Sequence, residues 1–317
     1  MTPPTPEAQP GSRRLLWILC GTIALTLIAF FCFVPKFGHI KVPTVQWLWL
    51  AWNEENLFHE HGWIVAVVMA WFIYKAWAPM RLEPVQGSRM GLWWVALGIF
   101  FWVGGFRAIQ ARAAVLSFPC LVLGGVHYVW GWKVARHLMF PLSLVAFMIP
   151  VPGIEQMTSG LASISTKLAH KFGLLIGIET IQNGTKLEAL HANWGEFQVD
   201  DGCSGIRSLV ALMLISYAYA MVIHSKWRER FVIFAAALPI AILANGVRIT
   251  TILIVANINH DFAANTWHSY SGFFSFGAAF GLLMLLSFIM RKGFRALRPK
   301  STVTRIGAPL TDNPPAL

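Results

Sequence analysis

The sequence predicts an all-α integral membrane protein of about eight transmembrane helices. Two observations carry that reading. Of the 317 residues, 56% are hydrophobic and 12% charged, whereas a soluble domain carries about 25% charged residues. The hydrophobic residues also come in runs of near-bilayer length, at 15–34, 62–78, 91–106, 113–132, 134–150, 205–223, 231–256 and 272–290. The third and fifth runs are short for about 30 Å of hydrocarbon. Val42–Trp52 is too short to span, and its Trp47, Trp49 and Trp52 predict a segment lying at headgroup depth.

The charge pattern orients the chain. A net charge of +11 would suit a nucleic-acid partner, but the basic residues fall in short clusters between apolar runs, as in loops held against anionic lipid. No nucleic-acid partner is expected. With both termini cytoplasmic, the inner face receives Arg13/Arg14, Lys75/Arg81/Arg89, Lys133/Arg136, Lys226/Arg228/Arg230 and the tail from Arg291 to Arg305. These are sixteen of the 25 basic residues, against seven outside. The opposite orientation would violate the positive-inside rule. Residues 1–14 are polar and Pro-rich, which predicts a disordered cytoplasmic N-terminus. Residues 15–290 form the polytopic domain and 291–317 a basic cytoplasmic tail. Leu15–Val34 has no small-residue cleavage site and reads as an uncleaved span rather than a signal peptide.

One loop breaks the rhythm. Residues 151–202 are extracytoplasmic in this topology. Ile164, Leu168, Phe172 and Leu175 give Ile154–Leu175 an amphipathic helical pattern, and such a stripe beside a membrane lies on its surface or packs on the bundle. Thr180–Val199, with Gly184 and Gly195 among β-compatible residues, predicts a small β-hairpin or extended region.

Three residues on or near the outer side carry chemistry. Cys20, Cys32 and Cys120 lie in apolar runs, where cysteine acts as a small hydrophobe. Cys203 differs, because it sits in a polar turn where the sixth span begins. Unpaired amides at a helix N-terminus lower a thiol's pKa and sharpen it as a nucleophile. Arg207, four residues on, shares its face and is placed to support a thiolate or bind a carboxylate. The plainer alternative is an inert thiol beside a helix cap, with Arg207 snorkelling to the headgroups. Asp200 and Asp201 fit as helix caps.

Arg248 lies about eight residues, roughly 12 Å, from the outer end of the seventh span. An arginine at that depth needs a polar cavity or a partner, and Asn245 shares its face. A structural arginine bonded to backbone carbonyls is the alternative reading. His268 precedes the eighth span on the same side and has the pKa range for proton transfer. His170, His191 and His260 could take its place, whereas His127 and His137 fall towards the inner face. His59-Glu60-His61 lacks a third ligand at useful spacing, and no metal or other cofactor is expected.

These motifs carry a family resemblance. Cys203-Ser204-Gly205-Ile206-Arg207-Ser208-Leu209 resembles the cysteine motif of the exosortase/archaeosortase family of membrane transpeptidases. Asn245-Gly246-Val247-Arg248 is similar to its arginine motif, and His268 with Gly272 and Phe276 to its histidine motif. Met148-Ile149-Pro150-Val151-Pro152 before the long loop is also similar. The resemblance covers about the last 180 residues. Asp201-Gly202 stands where many bacterial members have Glu-Ala, and the short tail lacks the fused domain of some members.

The resemblance implies a sortase-like reaction in the inner (cytoplasmic) membrane, with the active site facing the periplasm. The substrates would be exported proteins bearing a C-terminal sorting signal of the PEP-CTERM kind. By the same resemblance, Cys203 attacks the scissile carbonyl to form a thioacyl intermediate. Arg248 stabilises the oxyanion or orients the substrate, and His268 acts as general acid/base. Arg207 and Asn245 fall to substrate binding. A membrane lipid or exopolysaccharide component bearing an amine or hydroxyl is the expected acceptor, with hydrolysis as the fallback. The rival from another class is a multi-pass transporter or flippase using Arg248 for an anionic substrate. It leaves the polar setting of Cys203 unexplained, and the chain shows no repeat of interrupted helices. A non-catalytic assembly partner in polymer export is a third alternative. If the three groups serve one substrate, they should surround one cavity near the outer face.

Overall fold

A helix whose whole circumference is apolar finds its solvent in lipid, and most of this chain is such helix. The computed structural model describes residues 10–37, 41–54, 61–150, 154–190, 196–198 and 205–296. Among them the helices are α1 (Pro10–Phe33), α2 (Thr44–Trp52), α3 (Gly62–Leu82), α4 (Gly91–Ala108), α5 (Ala111–Trp130), α6 (Trp132–Ser143), α7 (Ile154–Leu175), α8 (Ile206–Ile223), α9 (Trp227–Ile258) and α10 (His268–Ala296). Among the described residues, six helical stretches are long and apolar enough to cross a membrane: α3, α4, α5, α8, α9 and Phe262–Arg291. The large apolar side chains they leave outside the protein, such as Val67, Trp93, Phe100 and Phe273 at 69–77% exposure, suit a lipid surface and no aqueous one.

With lipid outside, helices gain by close approach rather than by burying oil from water. α4 and α5 form an antiparallel hairpin along Gly91, Gly98 and Gly105, all buried and seven residues apart. A Cβ on Gly105 would stand 2.7 Å from the Ala114 amide nitrogen, and one on Gly124 of α5 would stand 2.6 Å from that of Val95. The two backbones touch, and glycine is what lets them.

The fifth apolar run is α6 followed by a 3₁₀ turn, Leu144–Met148. It starts at the end of α5 and finishes beside the starts of α3 and α5, because its last carbonyls are capped there. His61 Nε2 donates to the Phe147 carbonyl (3.2 Å), Trp52 Nε1 to that of Met148 (2.9 Å), and Arg112 Nε to that of Pro150 (2.8 Å). These carbonyls have no helical partner of their own. Trp52 is therefore buried within the protein, and the neighbouring Gly62 leaves room for its indole. Trp49 remains 48% exposed, as an interfacial ring would be.

α9, at 32 residues, is about 48 Å long, well beyond the roughly 30 Å of hydrocarbon. Its last turns serve as a post for α7 and a small antiparallel sheet. The sheet has the order β1 (Thr180–Asn183), β2 (Lys186–Ala189), β3 (Glu196–Gln198). It contains the expected hairpin, turned at Gly184 (φ 64°) with Asn183 opposite Lys186, and adds a third strand. Leu187, fully buried, packs with Ala162 and Ala169 of α7 and Ile249, Leu253 and Ala256 of α9.

The apolar stripe of α7 is only partly used in packing: Leu168 meets Gly246 of α9, and Phe172 is half-buried. Ile164 and Leu175 are 45% and 81% exposed, while Thr158, Ala162, Ser165, Thr166 and Ala169 are buried. Small side chains allow the close α7–α9 contact, so size rather than hydrophobicity selects the face.

At the opposite end, where α8 turns into α9, His224 is 2% exposed. Its Nδ1 lies 2.9 Å from Glu229 Oε2 and its Nε2 2.7 Å from Ser287 Oγ of α10. The order resembles a serine–histidine–acid relay, but Ser287 is fully buried and no substrate could reach it. The group is a clamp joining α8, α9 and α10, reinforced by Arg230 Nε donating to the His224 carbonyl (2.6 Å). Glu229→Ala is expected to lower the melting temperature in detergent, since an orphaned buried hydrogen-bonding group costs about 1–3 kcal/mol. Glu229→Gln, which keeps an acceptor, should retain more stability than the alanine variant. Equal melting temperatures for wild type and Glu229→Ala would show that the clamp carries no weight.

Candidate active site

The sequence-singled residues of α9 meet three other elements at the end of the bundle where α7 and the sheet lie. Asn245, 4% exposed, donates from Nδ2 to Ser165 Oγ of α7 at 3.0 Å. Its other neighbour is Gly205, the residue before α8. Gly205 has φ +82°, and a Cβ there would fall 2.6 Å from Asn245 Cγ. Two separate demands, a left-handed backbone and an occupied side-chain space, make that position glycine. Gly246 follows, with Leu168 Cβ of α7 only 2.8 Å from where its own Cβ would be. The Asn-Gly pair is thus the seam joining α7, α8 and α9.

One turn farther on, Arg248 reaches α10. Nε donates to Ser271 Oγ (3.1 Å) and Nη2 to the His268 carbonyl (3.2 Å), while Ser271 Oγ itself donates to that carbonyl (3.1 Å). The guanidinium lies beside Gly272, where a Cβ would stand in ordinary contact, 3.6 Å from Arg248 Cζ. The arginine is half-buried and makes no hydrogen bond through Nη1 to the described residues. Its alternative reading, a structural arginine on backbone carbonyls, describes one edge of the guanidinium and leaves the other available.

His268 is half-buried and opens α10 directly after a π turn, Phe262–Trp267. π turns inside α-helices are frequent at functional sites. Trp267 Nε1 donates to Thr251 Oγ1 at 3.2 Å, and Thr251 Oγ1 donates to the Arg248 carbonyl at 2.7 Å, so the turn is tied to the arginine's own helix. The backbone of His268 and the side chain of Arg248 are therefore linked by hydrogen bonds on two paths.

The other residues sort clearly. Arg207, in the first turn of α8, is exposed. His170 Nδ1 sits 2.8 Å from Thr180 Oγ1, in the joint between α7 and β1, and His260 is exposed beyond the end of α9. Asp200, Asp201, Cys203, His191, His59 and Glu60 lie outside the described residues. Cys203 precedes Gly205 by two residues in the sequence. Ser165 and Ser271 are site residues that sequence reasoning did not single out. Beside Asn245, a narrow crevice of about 10 Å³ lies between α8, α9 and α10, with Ser208, Asn245 and Ser275 among its lining.

A family model described as transmembrane exosortase matches residues 52–285, well over half of the chain. No curated protein and no solved structure matches it.

Proposed function

The chain belongs to the transmembrane exosortase family, and from that premise we propose that it is a membrane-embedded cysteine transpeptidase. Its substrates are exported proteins with a C-terminal sorting signal of the PEP-CTERM kind. The chain crosses the inner membrane eight times, counting α1 and the α6–3₁₀ segment with the six long apolar helices. Both termini are cytoplasmic and the Arg248 end faces the periplasm, as the distribution of Lys and Arg supports.

In this reading the Cys203 thiolate adds to the scissile carbonyl and gives a tetrahedral oxyanion. The Nη1 edge of Arg248 receives that charge. The oxyanion collapses, the C–N bond breaks, and the leaving amine takes a proton from His268. The thioester left on Cys203 is then attacked by an amine or hydroxyl of a lipid or exopolysaccharide acceptor, with His268 taking its proton. Water in place of the acceptor gives hydrolysis. Arg207 and Asn245 hold the sorting signal and the α8 start in place.

The observation that carries the proposal is the docking of Arg248 on Ser271 and on the His268 carbonyl, next to an Asn245–Gly205 contact. Gly205 is two residues from Cys203, a reach of about 7 Å for extended chain. The test is co-expression with a reporter carrying a sorting signal, comparing wild type with Cys203→Ala. The wild type should process the reporter and yield a trappable acyl adduct on Cys203, and the variant should leave it full-length. Undiminished processing by Cys203→Ala would sink the thiol mechanism.

A further inference from the structure

The opposite end of the bundle has a pocket that the transpeptidase reading leaves unused. It is a cavity of about 280 Å³ between the α3–α4 loop and the corner joining α5 to α6. Gln86, Ser88, His127, Trp130, Trp132 and Lys133 line it. Its walls are fixed: the Gln86 amide donates to the Trp130 carbonyl (3.1 Å) and the Ser88 amide to that of Tyr128 (3.2 Å). Gly131, at φ +89°, turns the chain so that α6 begins inside the pocket.

Four features of this pocket call for an anion. First, α6 is capped by no side chain, and its first intrahelical bond of this corner is Ala135 N to the Gly131 carbonyl. The amides of Trp132, Lys133 and Val134 thus take no partner among the described residues, which makes the helix start attractive to negative charge. Second, His127 lines the pocket at 7% exposure, and its Nδ1 has no hydrogen-bond partner among the described residues. An orphaned buried polar atom in a native fold asks for a ligand group. Third, Lys133 supplies a cation in the first turn of the same helix. Fourth, no acidic side chain lines the pocket. Glu83, next to the lining residue Pro84, is already engaged by Arg136 at 2.7 Å and His137 at 3.2 Å. Hydrogen bonds from His137 and Arg136 hold its carboxyl below the ordinary range.

We propose that this pocket binds a phosphate group, carried by an anionic phospholipid of the membrane that surrounds the bundle. The backbone amides of α6, Lys133, Ser88 and His127 contact the phosphate, and the indoles of Trp130 and Trp132 flank the glycerol region. The setting favours a lipid over a soluble anion. The pocket lies at helix ends, Trp132 is 43% exposed, and neighbouring Trp77 and Leu82 are 51% and 87% exposed. Tryptophan and basic residues at helix ends are the usual furniture of a headgroup layer.

The experiment uses the full-length protein, delipidated in detergent, with bound lipid counted by native mass spectrometry. Separate arms titrate phosphatidylglycerol, phosphatidylcholine and inorganic phosphate, each against wild type, Lys133→Ala and Ser88→Ala. Both substitutions are at or near the surface, and His127→Gln is added as a probe of the buried nitrogen. Wild type should retain phosphatidylglycerol in preference to phosphatidylcholine, and Lys133→Ala should weaken that retention about fivefold. Equal retention by wild type and Lys133→Ala, or no preference between the two lipids, would overturn the site. Protection by inorganic phosphate alone, with no added effect of phosphatidylglycerol, would overturn the lipid source. Reporter processing by Lys133→Ala reads the Cys203 mechanism separately, so failure of one proposal leaves the other standing.

Discussion

Arg248→Ala should slow reporter cleavage by about 10²–10³-fold, the range found when one oxyanion donor is removed from a preorganised site. The size of the effect follows from how the guanidinium is held. Nε and Nη2 are committed to Ser271 and to the His268 carbonyl, so in the proposed mechanism the remaining edge would meet the oxyanion without reorganisation. Arg248→Lys should rescue little of the loss. An ammonium keeps the charge but cannot bond α10 along one edge and a substrate oxygen along another. Ser271→Ala removes only one anchor and should fall between wild type and Arg248→Ala. Cleavage by Arg248→Ala within tenfold of wild type, in protein of unchanged melting temperature, would remove the arginine from the chemistry.

Gly205→Ala is the second large effect, a loss of about 10²-fold in cleavage. The alanine would have to hold a left-handed backbone, which costs about 1–2 kcal/mol, and its Cβ would stand 2.6 Å from Asn245 Cγ. The start of α8 must shift to relieve both, and Cys203 lies two residues upstream. A displacement of about 1 Å at a reacting group costs on the order of 10²-fold. The two causes can be separated by a double-mutant cycle. Asn245→Ala alone loses the bond to Ser165, but in the Gly205→Ala background it clears the space and should restore part of the activity. If Gly205→Ala cleaves like wild type, the seam between α8 and α9 does not position the nucleophile.

Much of this architecture can be read along the chain, and its failures have one physical source. The apolar runs announce the long helices, and the shortness of the fifth run marks the place where helix gives way to a 3₁₀ turn. The Asn-Gly-Val-Arg sequence stands out because charge in an apolar run is costly, and the structure brings its arginine to the first turn of α10. What local pattern misses is contact between distant segments. Ser165 and Asn245 are 80 residues apart, and nothing about a serine in a helix advertises its partner. The caps on the Phe147, Met148 and Pro150 carbonyls come from His61, Trp52 and Arg112, each of which reads locally as an interfacial or loop residue. The α7–α9 contact is hidden for a related reason: it is made largely by small residues, which no apolar stripe marks.

The π turn ahead of His268 has a consequence for how this chain tolerates change in length. Each residue added to or removed from a helix rotates everything after it by about 100°. Phe262–Trp267 is wound as a turn with one residue more than α geometry needs. That spare residue is an angular setting: it decides which compass bearing of α10 looks towards Arg248. Loss of a single residue there would leave hydropathy and helix content almost untouched, yet dial His268 and Ser271 round to the lipid.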